Sequence, residues 1–236
     1  MADDIDTRIT PTLHPDSVTQ IDGYDDDTAP VLAPTMTAFS NAYEGIRAVY
    51  AAREAANRNP AWTEEARIIQ VDAFAHKHIE KITRTFDATR TNLVKGIAAL
   101  EQQLSQPLES KAAASIAAEI RVHVKNLTTE KRHEFIQHAL DGGDHITVSA
   151  VLGAPPYLSG LDGQFQQVYT RRWHERTSPD ATKRLRAMQG AKAMIEERAG
   201  LVFTAMEKAV GGTSAKARNL REAQTAAERA FVLKDA

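Results

Sequence analysis

The sequence predicts an all-α protein: an elongated helical bundle with two long helices, an extended N-terminal arm and a C-terminal helical tail. Apolar residues recur at helical spacing from residue 37 onward. Residues 62–104 contain no proline and one glycine, Gly96. Alanine, the best helix former, is frequent throughout the chain. We therefore expect an arm over residues 1–36, a helical bundle domain over 37–212 and a tail over 213–236.

The arm is acidic. Residues 1–35 contain eight aspartates and one basic residue, Arg8, so this segment carries −7 and leaves +5 on the rest of a chain whose total is −2. Four prolines disfavour a helix here, and scattered apolar residues suit an arm that docks on a neighbouring surface. A solvated terminus is the alternative. The acidic run is a candidate for partner binding and comprises Asp25, Asp26 and Asp27.

Two helices are predicted in the first half of the bundle. The first is expected from near Thr37 to about Asn57, and the second from Trp62 to Leu104. In the second helix the apolar stripe repeats every 3.6 residues, the period of a straight helix and not of a coiled coil. A helix of about 40 residues would be roughly 60 Å long. Such a helix is typical of a strut in a bundle or of an element that lies along another subunit.

Shorter helices are predicted next. Ser110 is expected to cap a third helix, and Thr128 or Thr129 a fourth that Gly142 and Gly143 end. Residues 144–152 alternate between polar and apolar side chains, which indicates a strand. Asp144 is also a good N-cap and its surroundings are helical, so we favour a short helix.

The last third of the bundle contains the second long helix. Asp162 is expected to cap a helix that reaches Trp173. Ser178 and Pro179 then begin a long helix that continues to Val210. The helix of the C-terminal tail is expected to run to about Leu233. It is thinly apolar, so it needs a partner surface to stay folded.

The chain contains no residue pattern that indicates an enzyme. The absence of cysteine excludes thiol catalysis and cysteine-ligated metals. His133 and His138 are five positions apart, whereas the zinc-protease helix needs histidines four apart on one face. Neither a phosphate-binding glycine loop nor a nucleophile elbow is present. We predict no catalytic residue, no cofactor, no metal ligand and no membrane span.

Two further sets of residues are candidates for partner binding. The stretch 171–198 carries +4, and its candidates are Arg171, Arg172, Trp173 and Arg176. This cluster suits docking of acidic groups, such as the arm of a neighbouring copy, or of nucleic acid. A plain solvated surface is the alternative. The second set is Pro155, Pro156 and Tyr157, a rigid and partly apolar projection that either plugs the core or anchors a subunit contact.

Residues 145–161 include the run Ser-Ala-Val-Leu-Gly-Ala-Pro-Pro-Tyr-Leu-Ser-Gly-Leu. This run resembles segments of uncharacterised proteins of tailed bacteriophages and prophages. The layout of helical bundle and terminal arms is also similar to that of phage head–tail adaptors.

The resemblance implies a non-enzymatic structural protein of a virion, made in the host cytoplasm and not secreted. The most specific role that the resemblance implies is a ring-forming head–tail connector that docks on the portal. Its partners would be copies of itself and other virion proteins, with DNA nearby. One alternative is another virion component, such as a scaffold, an internal or ejected protein, or a minor capsid protein. The other is a helical regulator that binds nucleic acid through residues 171–198.

Overall fold

A computed structural model describes residues 5–231. Asp3 and Asp4 of the acidic arm lie outside these residues, as does Leu233. The helix of the C-terminal tail ends at Arg229, earlier than the expected end near Leu233. The described part is helical and contains no strand, which confirms the all-α class with its two long helices. Three short 3-10 helices accompany the α-helices, which are α1 (Ala29–Asn57), α2 (Glu64–Gln103), α3 (Ala114–Asn126), α4 (Thr129–Gly142), α5 (His145–Leu152), α6 (Gly163–Thr177), α7 (Pro179–Val210) and α8 (Ser214–Arg229).

The chain divides into two compact units. Unit 1 consists of residues 1–95 and 186–236, as far as they are described, and unit 2 consists of residues 96–185. The sequence predicts one bundle domain over residues 37–212. The division was not evident from sequence because its two boundaries fall inside the uninterrupted helices α2 and α7.

The start of the chain folds onto unit 1 and is not an extended arm in the described residues. Two 3-10 helices, Pro11–Leu13 and Pro15–Gln20, place Leu13 and Val18 in the interior, both fully buried. Ile21 also packs closely on Gly190 of α7. A Cβ at Gly190 would lie only 2.6 Å from the Cγ2 atom of Ile21. The apolar residues that suggested docking on a neighbour are therefore used within the same chain.

Helix α1 begins at Ala29, so the expected start near Thr37 is wrong. Pro30 lies in the first turn, where the backbone N–H groups have no helical acceptor in any case. Pro34 lies inside the helix and removes only the hydrogen bond to the carbonyl of residue 30. Both prolines are exposed, so that carbonyl can bind water.

Helix α2 confirms the long helix that the apolar period predicts. Much of the expected stripe is buried, and its buried members are Ile68, Val71, Ala75, Ile82, Phe86, Thr89 and Leu93. In unit 1, Phe86 meets Phe39 of α1 edge-on, with the ring centroids 5.2 Å apart. Burial of such a stripe, and not helix propensity alone, stabilises a helix of this length.

Unit 2 packs α3 to α6 around its own core, which includes Val124, Ile136, Leu140, Val151, Leu161, Tyr169 and Trp173. Thr128, Asp144 and Asp162 cap α4, α5 and α6 as expected. Residues 145–152 form the short helix, so the strand alternative is wrong. The expected cap at Ser110 is also wrong, since α3 begins at Ala114. The Lys111 N–H instead donates to Ser149 Oγ of α5, 3.1 Å away.

Candidate functional site

Residues 153–161, which we name the Tyr157 loop, join α5 to α6 in unit 2. A 3-10 helix, Pro156–Leu158, forms its tip. The Tyr157 residue is 68% exposed, whereas Ser159 and Leu161 behind it are buried. Of the two interpretations of Pro155, Pro156 and Tyr157, the loop therefore fits a projecting anchor better than a plug of the core.

Arg132 of α4 holds one end of the Tyr157 loop. Its Nη1 donates to the carbonyl of Gly160 at 2.5 Å. Its other donors bind the carbonyls at the C-terminal end of α3, those of Val124, Lys125 and Leu127, at 2.9–3.1 Å. Gly160 has a φ of +69°, and a Cβ there would lie 3.0 Å from the guanidinium carbon. The positive φ favours glycine at this position, and a larger residue would also crowd the guanidinium of Arg132.

Gln166 of α6 holds the other end. Its Nε2 donates to the carbonyls of Leu152 and Ala154 at 2.9 and 2.7 Å. Gly153 begins the loop against the backbone of Leu108, whose carbonyl oxygen would lie 2.4 Å from a Cβ at that position. The loop is therefore held by the protein on both sides while its tip stays exposed.

A cleft of about 440 Å³ lies in unit 2, lined by Ser105, Pro107, Leu152, Gln166, Gln167 and Thr170. Leu152 and Gln166 belong to both the cleft and the supports of the Tyr157 loop. The cleft combines apolar walls with amide and hydroxyl groups. That combination suits a side chain with an apolar body and a polar end, such as tyrosine.

A second exposed surface lies on α6. Phe165 and Val168 are 48% and 60% exposed. His133 of α4 contacts the Phe165 ring, with centroids 4.4 Å apart, and its Nδ1 lies 2.7 Å from the hydroxyl of Tyr169. Burial raises the pKa of the Tyr169 hydroxyl, so the phenol stays neutral near pH 7. His133 is thus an aromatic and hydrogen-bonding partner within unit 2.

The basic candidates are largely engaged within unit 2. Arg171 pairs with Glu175 and Arg172 with Asp141, each at 2.8 Å. Trp173 is 5% exposed and belongs to the core, where its ring meets His145 edge-on. Arg176 is exposed. The tryptophan is therefore not available for base stacking, and two of the three arginines are neutralised locally.

The acidic run forms the turn that precedes α1 in unit 1. Asp25 Oδ1 accepts hydrogen bonds from the backbone N–H groups of Asp27 and Thr28, at 3.0 and 3.1 Å. Asp26 and Asp27 remain exposed beside it. Carboxylates near a helix N-terminus stabilise the helix dipole, so this run has a structural role in its own chain.

Sequence reasoning missed Arg132 and Gln166. Neither residue belongs to a local motif, and each acts on backbone carbonyls distant along the chain. The only local signal is Gly160, a glycine placed where a turn precedes the Asp162 cap. A positive φ at this position is visible only in the folded chain.

Within residues 5–231, no group of three histidine or acidic side chains is arranged to hold a metal ion. None of the helices described is both long enough and apolar enough to span a membrane. Comparison of the chain with protein-family models, with curated proteins and with solved structures finds no match.

Proposed function

We propose that this chain is a non-enzymatic structural protein that assembles with copies of itself, as a ring-forming head–tail connector of a phage-like particle that docks on the portal. The observation that carries the proposal is the Tyr157 loop, an exposed aromatic side chain on a backbone held at both ends. The loop also lies inside residues 145–161, the segment that resembles phage and prophage proteins.

A rigid, exposed tyrosine is suited to anchor a protein contact. Tyrosine is enriched among the residues that dominate interface energies. A backbone that is already held in place loses little conformational entropy on binding, so more of the free energy of burying Tyr157 becomes affinity. The hydrogen bonds of Arg132 and Gln166 order the loop before a partner binds, so the binding free energy does not have to supply that ordering.

The cleft in unit 2 is the receiving surface for Tyr157 of a second copy. Pro107 and Leu152 would contact the ring, and Gln167 or Thr170 would bind the hydroxyl. A contact in which a projection on one copy enters a cleft on the next is heterologous. Contacts of this kind close into rings when the rotation between copies allows it.

The test is the mass of the full chain in solution, measured by light scattering and mass photometry. Wild type is expected to form a closed oligomer, and Tyr157→Ala to lower its affinity at least tenfold. Phe203→Ala, which removes a half-exposed aromatic of unit 1, is the matched control and should assemble normally. A wild-type monomer at tens of micromolar, or a Tyr157→Ala oligomer of unchanged affinity, would contradict the proposal.

A mixing experiment separates a projection-and-cleft contact from other modes. Gln167→Trp fills the cleft from an exposed position. Alone, Tyr157→Ala and Gln167→Trp should each be monomeric. Mixed, they should form one productive contact and stop at a heterodimer. Loss of assembly in the mixture would show that the two residues do not meet.

Cross-linking of the wild-type ring to a portal protein encoded beside its gene tests the connector role.

A further inference from the structure

A small pocket in unit 1 contains two arginines. It has a volume of about 220 Å³ and lies between α1, α2 and the end of α7. Arg53 and Asn57 of α1 face Arg67 and Glu64 of α2 across it. Its remaining lining residues are Ile68, Val71, Val210 and Gly211.

Arg53 reaches the pocket because Gly211 has no side chain. Gly211 has a φ of +81°, and a Cβ there would lie 2.3 Å from the guanidinium carbon of Arg53. Arg53 Nη1 donates to the carbonyl of Lys208 in the last turn of α7, at 3.3 Å. One edge of this guanidinium therefore caps the helix, and its remaining donors are available.

Arg67 is incompletely bonded. Its Nη2 donates to the carbonyl of Asn59 at 3.2 Å, but its Nε is buried without a hydrogen-bond partner. Because this Nε has almost no exposed surface, an acceptor in the pocket would meet the other guanidinium nitrogens of Arg67 and not the Nε.

The charges around the pocket favour an anion. Within the described residues, the ion pairs include neither Arg53 nor Arg67. Glu64 carries the only negative side chain of the lining, and Lys216 neutralises it at 3.5 Å. The helix C-termini of α1 and α7 offset part of the positive charge, yet two guanidinium groups remain without a carboxylate.

We propose that Arg53 and Arg67 form a binding site for a small oxyanion, a phosphate or a carboxylate group. The planar fork of a guanidinium matches the oxygens of both groups. The Asn57 amide supplies a further donor, and the volume accommodates one such group. The site lies wholly in unit 1 and does not depend on the contact proposed for Tyr157.

The experiment titrates inorganic phosphate and, separately, acetate into the full chain, by calorimetry and by thermal unfolding at constant ionic strength set with chloride. We expect saturable binding of at least one anion. At about ten times Kd, the melting temperature should rise by about 3–5 °C. Arg67→Gln should lower the affinity for that anion at least tenfold, and Arg53→Lys should weaken it less.

Arg47→Gln is the matched control, because Arg47 also lies on α1 but outside this pocket. It should bind as wild type does, and circular dichroism checks that each variant is folded. Phosphate also stabilises proteins without a site, but that effect does not saturate and is equal in all variants. Unsaturated stabilisation alone, or equal binding by wild type and Arg67→Gln, would overturn the proposal.

Discussion

The two units use their apolar side chains differently. Each exposes seven large apolar residues among those described, although unit 2 is much the shorter. Unit 1 buries part of the N-terminal segment that the structure describes, with Leu13 and Val18 fully buried. Unit 2 keeps Tyr157, Phe165 and Val168 at its surface. Exposed apolar side chains are therefore denser along unit 2, and the proposed contact through Tyr157 would use this surface.

The largest expected effect tests whether the N-terminal segment belongs to unit 1. Leu13→Ala leaves a cavity in a fully buried site, so it should lower the free energy of unfolding by about 3 kcal/mol. Chemical denaturation followed by circular dichroism measures this loss. Ile5→Ala, at a position 64% exposed, is the control and should change it by less than about 0.5 kcal/mol. If Leu13→Ala lowers the free energy of unfolding no more than Ile5→Ala does, the N-terminal segment is a free arm and not part of unit 1.

The next effect concerns the support of the Tyr157 loop in unit 2. Arg132→Met keeps a long side chain but removes hydrogen bonds to four carbonyls, so it should cost about 2 kcal/mol. Arg171→Met removes an ion pair that is over one-third exposed and should cost about 0.5 kcal/mol or less. The same denaturation measurement compares the two. A neutral Arg132→Met would remove the basis for calling the loop rigid.

The smallest effect is the cap of α5, which precedes the loop. Asp144 Oδ1 accepts from the backbone N–H groups of Ile146 and Thr147 at 3.1 and 3.0 Å. Asp144→Ala should cost about 1 kcal/mol. Hydrogen bonding to the Thr147 side chain, followed by these backbone groups, lowers the pKa of Asp144 below that of an ordinary aspartate.

The cap should also depend on pH. Its full contribution is present above the ordinary aspartate pKa of about 4, and it is lost as the pH falls through the lowered pKa of the folded state. Asp144→Asn keeps an oxygen acceptor without the charge, so denaturation midpoints measured from pH 6 to 2 should fall less for this variant than for wild type. Parallel profiles would assign the acid sensitivity to other groups.

Elements that depend on local chemistry were predictable from the sequence. The apolar period of α2 and the caps at Thr128, Asp144 and Asp162 were foreseen and are confirmed. Elements decided by distant contacts were not. The segment before α3 packs on α5 through Lys111 and Ser149, which displaces the expected start at Ser110.

The candidate site was only partly predictable. Proline and tyrosine at 155–157 mark a stiff projection, but the sequence does not indicate which side chains hold it. The basic cluster was predicted less well. Its charge pattern suggested a binding surface that includes Trp173, but this tryptophan lies in the core. A charge pattern does not distinguish an arginine that faces a partner from one paired within its own unit.

Arg132 has a consequence for how unit 2 opens and closes. One guanidinium joins the end of α3, the body of α4 and the backbone at Gly160. These parts cannot separate without losing the same set of hydrogen bonds, so they should open together as one cooperative unit in native-state hydrogen exchange. The Tyr157 loop would then share the lifetime of the α3–α4 corner, and would not fluctuate as an independent surface loop.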